Sequence, residues 1–468
     1  MTAVFLCNDD EVPRSAVELA NASVTVLNDL CLNPRQIIPM ISDDETSLVM
    51  GIHSGAVNLG AVQAIARRLG WDPLSLGVFD MAGAVDDEQV RLATAASVAR
   101  SSHFPGSTPD QVKLLPSDRT TRRGLLSVGA PVYVGAPMVD PSSCVAGDGC
   151  RACAAACPAD ALSWTGGAIE YSINACIACG ICVTACPIGA IRNPSADPTA
   201  IEAEIRTVIT ESSDPIGIRY RCRDSQVDCE PGWHLVEVPC TGMLTVGWLL
   251  APRFLGAAAS DAVSCSVGGC GLANDQRLEM TLRDSARASE ALWSEHGGAP
   301  ELSQTSAETV WLAHRSTGRV LEAAAPPASG LAISFEATDV GLVTIDPTMC
   351  TACEMCAQVC PTDALASSVN GSGVHITLDP RLCVACGQCV ATCPEVDKGA
   401  ISLSRQFDLS EWQLGRREVR HEPTPLCEIC GQPVAPAAML SRIEEMLGED
   451  ATATMAMISR RCVSCRGR

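Results

Sequence analysis

Twenty-seven of the 468 residues are cysteine, and most fall in short, repeated spacings. One run reads Cys350-x2-Cys353-x2-Cys356-x3-Cys360-Pro361. Cys383, Cys386, Cys389, Cys393 and Pro394 repeat it, as do Cys176, Cys179, Cys182, Cys186 and Pro187. A fourth run is irregular: Cys144-x5-Cys150-x2-Cys153-x3-Cys157-Pro158. Its insertion holds Gly147 and Gly149, which let the loop bulge and still deliver Cys144. Three thiolates so close together wrap one corner of a metal centre, and soft sulfur ligands select iron–sulfur clusters or zinc. The proline after each fourth cysteine turns the chain away from the site.

A disulfide scaffold is the other common use of so much cysteine, and it belongs to secreted chains. The opening residues, MTAVFLCNDDEVP, lack a basic segment and turn acidic at Asp9, Asp10 and Glu11, unlike a secretory signal. No run of about 18 apolar residues is present. The nearest stretch, 243–255, is interrupted by Pro252 and Arg253. The expectation is a cytoplasmic chain with reduced thiols and no membrane span. A net charge of −21 argues against nucleic acid or an anionic membrane as the main partner. Hydrophobic residues make up 47%, which excludes disorder as the main state; aromatics are only 3%, so Ala, Val, Leu and Ile must fill the cores.

The four runs form two eight-cysteine blocks, an internal repeat that resembles dicluster bacterial-type ferredoxins over some 60–75 residues each. In that family the fourth cysteine of each run ligates the other cluster. The resemblance implies four 4Fe–4S clusters. Their ligand sets would be Cys144, Cys150, Cys153 and Cys186; Cys176, Cys179, Cys182 and Cys157; Cys350, Cys353, Cys356 and Cys393; and Cys383, Cys386, Cys389 and Cys360. The irregular run leaves two alternatives open: Cys144 ligates, or that site holds a 3Fe cluster or a labile fourth ligand. Structural zinc does not require this triple spacing.

Between the blocks, Cys222, Cys229, Cys240, Cys265 and Cys270 are spread over 49 residues. Cys240-Thr241-Gly242-Met243 follows one strand-like stretch, and Cys265 to Cys270 follow another. This region resembles the delta subunit of methyl-viologen-reducing hydrogenase, which implies a 2Fe–2S cluster on Cys222, Cys240, Cys265 and Cys270. Ser225 stands where that family has the partner of Cys222, and Cys229 is a spare that could substitute. Buried, unligated thiols are the alternative.

Two Cys-x2-Cys knuckles, Cys427/Cys430 and Cys462/Cys465, close the sequence around an expected helix at 439–447. Four thiolates suit a structural zinc, with a rubredoxin-like iron or a site without metal as the alternatives. Arg460, Arg461, Arg466 and Arg468 make this tail basic.

Away from the cysteine blocks, residues 1–125 read as a small α/β domain. Strands are expected at 4–7, 23–27, 48–52 and 74–79, and helices at 60–69 and 87–100. This segment resembles, more weakly, the N-terminal domain of the flavin-binding subunit of heterodisulfide reductase. Val4-Phe5-Leu6-Cys7, Leu30-Cys31 and Gly70-Trp71-Asp72-Pro73 carry that resemblance. Cys7, Cys31 and His53 admit two readings, a metal site or ordinary polar and thiol packing. No Gly-x-Gly-x-x-Gly follows a strand, so neither a flavin nor a nicotinamide site is expected. Linkers are expected at 101–123 and 324–330.

The expected architecture is multidomain α/β and α+β. Residues 1–125 form an α/β domain, 126–200 the first ferredoxin module, 201–325 a second small α/β domain, 326–408 the second ferredoxin module and 409–468 a zinc-ribbon-like knuckle. The expected role is an electron-transfer subunit of a heterodisulfide-reductase-like or hydrogenase-linked oxidoreductase complex. Its partners would be a flavoprotein, a hydrogenase or molybdenum/tungsten enzyme, or a ferredoxin. Alternatives are a thiol/disulfide reductase with its own substrate, using Cys7, Cys31 or Cys229, and an iron–sulfur redox sensor.

Overall fold

A computed structural model describes residues 2–8, 22–42, 45, 47–53, 59–81, 87–115, 132–225, 227, 229–263, 272, 276–296, 312, 320, 334–336, 340–448 and 452–466. The chain divides into two compact units. The first holds residues 1–144, 153–163 and 169–315; the second holds 145–152, 164–168 and 316–468. The architecture is mixed α/β.

In the first unit, β1 (Thr2–Asn8) is buried along nearly its whole length. A strand covered on both faces reads as a continuous apolar run, and TAVFLC does. It pairs in parallel with β2 (Ala22–Asn28) and β3 (Ser47–Ile52), and β3 pairs in parallel with β4 (Gly77–Asp80). The sheet order is β2-β1-β3-β4. Helices α1 (Leu59–Arg68) and α2 (Asp87–Ser102) follow β3 and β4. Asp87 and Glu88 sit in the first turn of α2, where carboxylates favour the helix dipole. The strand expected at 74–79 starts only at Gly77. Pro73 and an Asx turn precede it, in which the Leu74 N–H donates to Asp72 Oδ1 at 2.9 Å. The linker expected from residue 101 is structured in part: α2 runs to Ser102, and β5 (Val112–Leu115) pairs antiparallel with β6 (Val132–Gly135).

The first cysteine block follows. It comprises β7 (Met138–Val139), α3 (Ala152–Ala156), the hairpin β8 (Leu162–Thr165) and β9 (Ala168–Tyr171), α4 (Ile181–Ala185) and β10 (Ile191–Arg192). Then α5 (Pro198–Glu211) starts with Pro198 and is capped by Asp197, whose carboxylate accepts from the Thr199 and Ala200 N–H groups. It packs on α2 through Arg100–Glu204 and Arg91–Glu211 ion pairs, both 2.8 Å. A second parallel sheet, order β12-β11-β13, is built from β11 (Gly217–Cys222), β12 (Trp233–Val238) and β13 (Ala259–Ala262). Helices α6 (Val246–Phe254) and α7 (Gln276–His296) pack against β13 and each other. The scarce aromatics gather here: Tyr220, Trp248 and Phe254 are fully buried, and the Tyr220 hydroxyl donates to the Trp248 carbonyl at 3.1 Å.

In the second unit, Leu342–Ile345 pairs antiparallel with Ile401–Ser404. Leu365–Asn370, Gly373–Leu378 and Arg417–Glu422 form a three-stranded antiparallel sheet. Short helices Met355–Gln358 and Gln388–Thr392 carry cysteines against a core of Val343, Leu365, Ile376, Leu378 and Ile401. Two further helices, Ala437–Leu447 and Thr452–Arg460, lie between the terminal knuckles. Arg442 ties the first of them to Glu395 at 3.0 Å. The linker expected at 324–330 lies outside the described residues. Among the described residues no helix is long and apolar enough to cross a membrane.

Candidate iron–sulfur and thiolate-metal centres

All four cysteine runs share one local geometry. The third cysteine of each run is the second residue of a short helix: Cys153 in α3, Cys182 in α4, Cys356 in Met355–Gln358 and Cys389 in Gln388–Thr392. The second cysteine stands two residues before each helix, at Cys150, Cys179, Cys353 and Cys386. The irregular first run therefore keeps the register of the other three from Cys150 onward. Its insertion is absorbed before that point, by a 3-10 turn at Ala146–Asp148 and by Gly149 at φ 93°.

In the three regular runs the residue before the second cysteine is alanine in the left-handed region: Ala178 at φ 55°, Ala352 at 54° and Ala385 at 51°. Left-handed alanine is costly, so something must hold it there. Burial does so, since all three are at most 2% exposed. The conformation also turns backbone donors toward sulfur: Ala178 N–H to Cys176 Sγ at 3.3 Å, and Ala352 N–H to Cys350 Sγ at 3.4 Å. Cys157 Sγ and Cys360 Sγ receive the N–H groups of Ala161 at 3.2 Å and Leu365 at 3.4 Å. Such bonds to sulfur tune a bound cluster.

Three of the fourth cysteines lie close to thiols of the other run in their block: Cys393 to Cys356, Cys360 to Cys383 and Cys389, and Cys157 to Cys179 and Cys182. Burial pushes the Cys356 thiol up to about 12, and Cys350, Cys353 and Cys393 are the thiols that add to it. Burial likewise pushes Cys389 and Cys383 up to about 12, and Cys360 bears on both. Cys350, Cys353, Cys356 and Cys393 line one cavity together with Ile345, Ile376 and Ile401. In the first unit, burial raises Cys179 to about 11 and raises Cys182 further; Cys176 and Cys157 contribute to both. Cys144, Cys153 and Cys186 pack in the same small core. Cys150 lies on the 145–152 loop, which groups with the second unit, and there it bears on Cys386. Sets of thiols in apolar surroundings, with N–H groups aimed at sulfur, fit the donor requirements of iron–sulfur clusters.

Two cations hold the loop that carries Cys176 and leads to Cys179. The Lys113 ammonium donates to the carbonyls of Ile173 at 2.7 Å and Asn174 at 3.3 Å, and to that of Cys176. The Arg223 guanidinium donates to Ile177 and Ala178, both at 3.0 Å. Neither residue belongs to a local motif, although Lys113 is one of only two lysines in the chain. Tyr171 is a further neighbour, its hydroxyl raised by burial and by Cys176.

In the middle region Cys222 ends β11 and Cys240 follows β12, so adjacent parallel strands deliver both. Burial pushes Cys222 up to about 12, and Cys240 is the thiol that adds to it. The Gly242 N–H donates to Cys240 Sγ at 3.3 Å. Cys265 and Cys270 lie outside the described residues. Cys229 is placed apart, donating to the Trp233 carbonyl at 2.9 Å beside Arg219 and Arg221. This site abuts the first block: a Cβ on Gly180 would stand 3.0 Å from Met243 Sδ.

At the tail, Cys427, Cys430, Cys462 and Cys465 place their sulfur atoms within 4.8 Å of one another. Cys430 and Cys462 are 3.5 Å apart. A tetrahedral metal–thiolate site with bonds of about 2.3 Å needs sulfur separations of about 3.8 Å, so the set fits one ion. The first knuckle turns at Gly431, φ 69°, whose N–H donates to the Cys427 carbonyl at 2.9 Å. Backbone N–H groups of Cys462 and Cys430 bring the Cys427 thiol down to about 6.

These sites place the chain among proteins with ferredoxin-type 4Fe–4S domains. Residues 136–187 match the family model of a 4Fe–4S dicluster domain, and 343–366 and 380–397 each match a 4Fe–4S binding domain. The chain is similar to formate hydrogenlyase subunit 2 of Escherichia coli (strain K12) and of Shigella flexneri, at 31% identity over 88 residues. That is 19% of this chain, and it spans 42% of the length of those relatives.

Proposed function

We propose that the protein is an iron–sulfur electron-transfer subunit of an oxidoreductase complex. The observation that carries the reading is that Cys393 lines one cavity with Cys350, Cys353 and Cys356, while Cys360 lies close to Cys383 and Cys389 of the other run. That arrangement brings two four-thiol sets close together in one small fold, as a relay requires. The sets Cys350/Cys353/Cys356/Cys393 and Cys383/Cys386/Cys389/Cys360 would each hold a 4Fe–4S cluster, as would Cys176/Cys179/Cys182/Cys157. By the ferredoxin resemblance, Cys144, Cys150, Cys153 and Cys186 would hold a fourth, or a 3Fe cluster if Cys144 does not ligate. Cys222 and Cys240, with Cys265 and Cys270, would hold a 2Fe–2S cluster, and the tail cysteines a structural zinc.

Bound clusters supply one-electron redox centres. The chain's own residues exclude water, aim N–H groups at sulfur and place cations beside one cluster loop, which together set potentials. The contact of Gly180 with Met243 puts the Cys179 loop beside the Cys240 turn, a short route between two centres. The similarity to formate hydrogenlyase subunit 2 supports membership of a multisubunit redox complex, with a hydrogenase, molybdenum/tungsten enzyme, flavoprotein or ferredoxin as donor or acceptor.

The test is anaerobic affinity purification of the full chain from its source cells. A co-purifying redox enzyme that reoxidises the dithionite-reduced chain, in proportion to its concentration, supports the relay. Co-purifying enzymes that neither reduce nor oxidise the chain would sink it.

A further inference from the structure

We infer that Cys7, Cys31 and His53 bind a single thiophilic divalent metal ion, of the zinc class, at a site separate from every cysteine run. The sheet topology gathers the three residues. Cys7 is the penultimate residue of β1, Cys31 follows β2 in a turn, and His53 directly follows β3. All three strands are parallel, so all three residues stand at carboxyl ends. With order β2-β1-β3-β4, the chain leaves β1 to one side and returns on the other. That is the topological switch point, where open α/β sheets open a crevice for ligands.

The side chains converge as ligands would. Cys7 Sγ, Cys31 Sγ and a ring nitrogen of His53 lie within 4.8 Å of one another. Cys31 Sγ stands 3.6 Å from His53 Nδ1. Each thiol also accepts a backbone N–H: Cys31 N–H to Cys7 Sγ at 3.4 Å, and His53 N–H to Cys31 Sγ at 3.2 Å. Backbone donors to sulfur orient thiol side chains in the way outer-shell contacts orient the ligands of a metal. Apolar packing of two thiols would not require an imidazole against them or a backbone donor on each.

The ligand count fixes the class of ion. Two thiolates are too few for a cubic cluster held by four. Two sulfurs and one imidazole suit zinc, with three protein ligands and one position open to water or an incoming ligand. The thiols are 3% and 8% exposed, whereas His53 is only half-buried.

The test uses the full chain, purified anaerobically with its clusters. Cys430→Ser/Cys462→Ser removes the tail site, and zinc is then measured by mass spectrometry beside iron. About one zinc per chain should remain, and X-ray absorption at the zinc edge should show two sulfurs and one nitrogen. Adding His53→Gln, a mild change at a half-buried position, should lower zinc affinity at least tenfold with iron and the melting curve unchanged. A tail-site variant that retains no zinc overturns the inference, as does retained zinc indifferent to His53→Gln or bound by four sulfurs. Iron content reports separately on the clusters, so failure of this site and failure of the relay are distinguishable.

Discussion

The Arg223 guanidinium donates to the carbonyl of Ala178 at 3.0 Å, across 45 residues of sequence. Its other terminal nitrogen holds Ile177, and Lys113 grips the same loop from the opposite end of the segment. Ala178 in turn donates to Cys176 Sγ, so a cation sits one peptide away from that sulfur. A positive charge favours the reduced, more negative state of a nearby cluster. Arg223→Met should therefore lower the midpoint potential of that one cluster by on the order of tens of millivolts. Arg223→Lys should recover part of the shift. A potentiometric titration followed by electron paramagnetic resonance measures both; an unchanged potential, or an equal shift of every cluster, goes against the role.

The proposed exchange of fourth cysteines is tested by pairs of substitutions. Cys360→Ala combined with Cys383→Ala should cost one cluster, about four irons, because both residues serve one set. Cys360→Ala combined with Cys350→Ala should cost two clusters, about eight irons. The reverse pattern would mean that each run ligates its own cluster.

The left-handed alanines tolerate less side chain, not more. Ala352 is 0% exposed at φ 54°. Ala352→Gly should leave iron content unchanged and relieve about 1 kcal/mol of backbone strain. Ala352→Val adds branching in a conformation that disfavours it and in a place with no room, and should lose the Cys350 cluster. Iron per chain and thermal melting of both variants decide it.

Arg100 compensates the buried carboxylate of Glu204 between α2 and α5. Burial pushes the Glu204 carboxyl up, but Arg100 and His234 together hold it below its ordinary value of 4.5. A carboxyl lowered on folding adds stability above its unfolded value and loses it as pH falls through the folded one. Arg100→Gln removes one of the two groups that offset burial, so the variant should be less stable by about 3 kcal/mol near neutral pH. The gap should narrow as pH falls toward about 4.5. Denaturant melts at several pH values measure this, and a gap independent of pH contradicts it.

The sequence shows most clearly what is local. Cysteine spacing encodes the ligand loops, because each run closes within about a dozen residues. The continuous apolar strands β1 and β3 are equally plain, since burial on both faces leaves an unbroken run. What depends on distant partners is hidden. The segment around Val112 reads as linker because its strand partner lies at Val132–Gly135, beyond a polar stretch. Lys113 and Arg223 carry no local pattern, and their targets lie 45 to 63 residues away. The insertion before Cys150 obscures the register of the first run, which the helix at Ala152 restores. Cys7, Cys31 and His53 look unrelated until three parallel strands bring their ends together.

The most direct test of the central claim is the iron and acid-labile sulfide content of the full chain, isolated or reconstituted without oxygen. Four cubic clusters and one 2Fe–2S cluster require about 18 irons and as many sulfides per chain. A content below about eight irons would leave too few centres for a relay and would contradict the account.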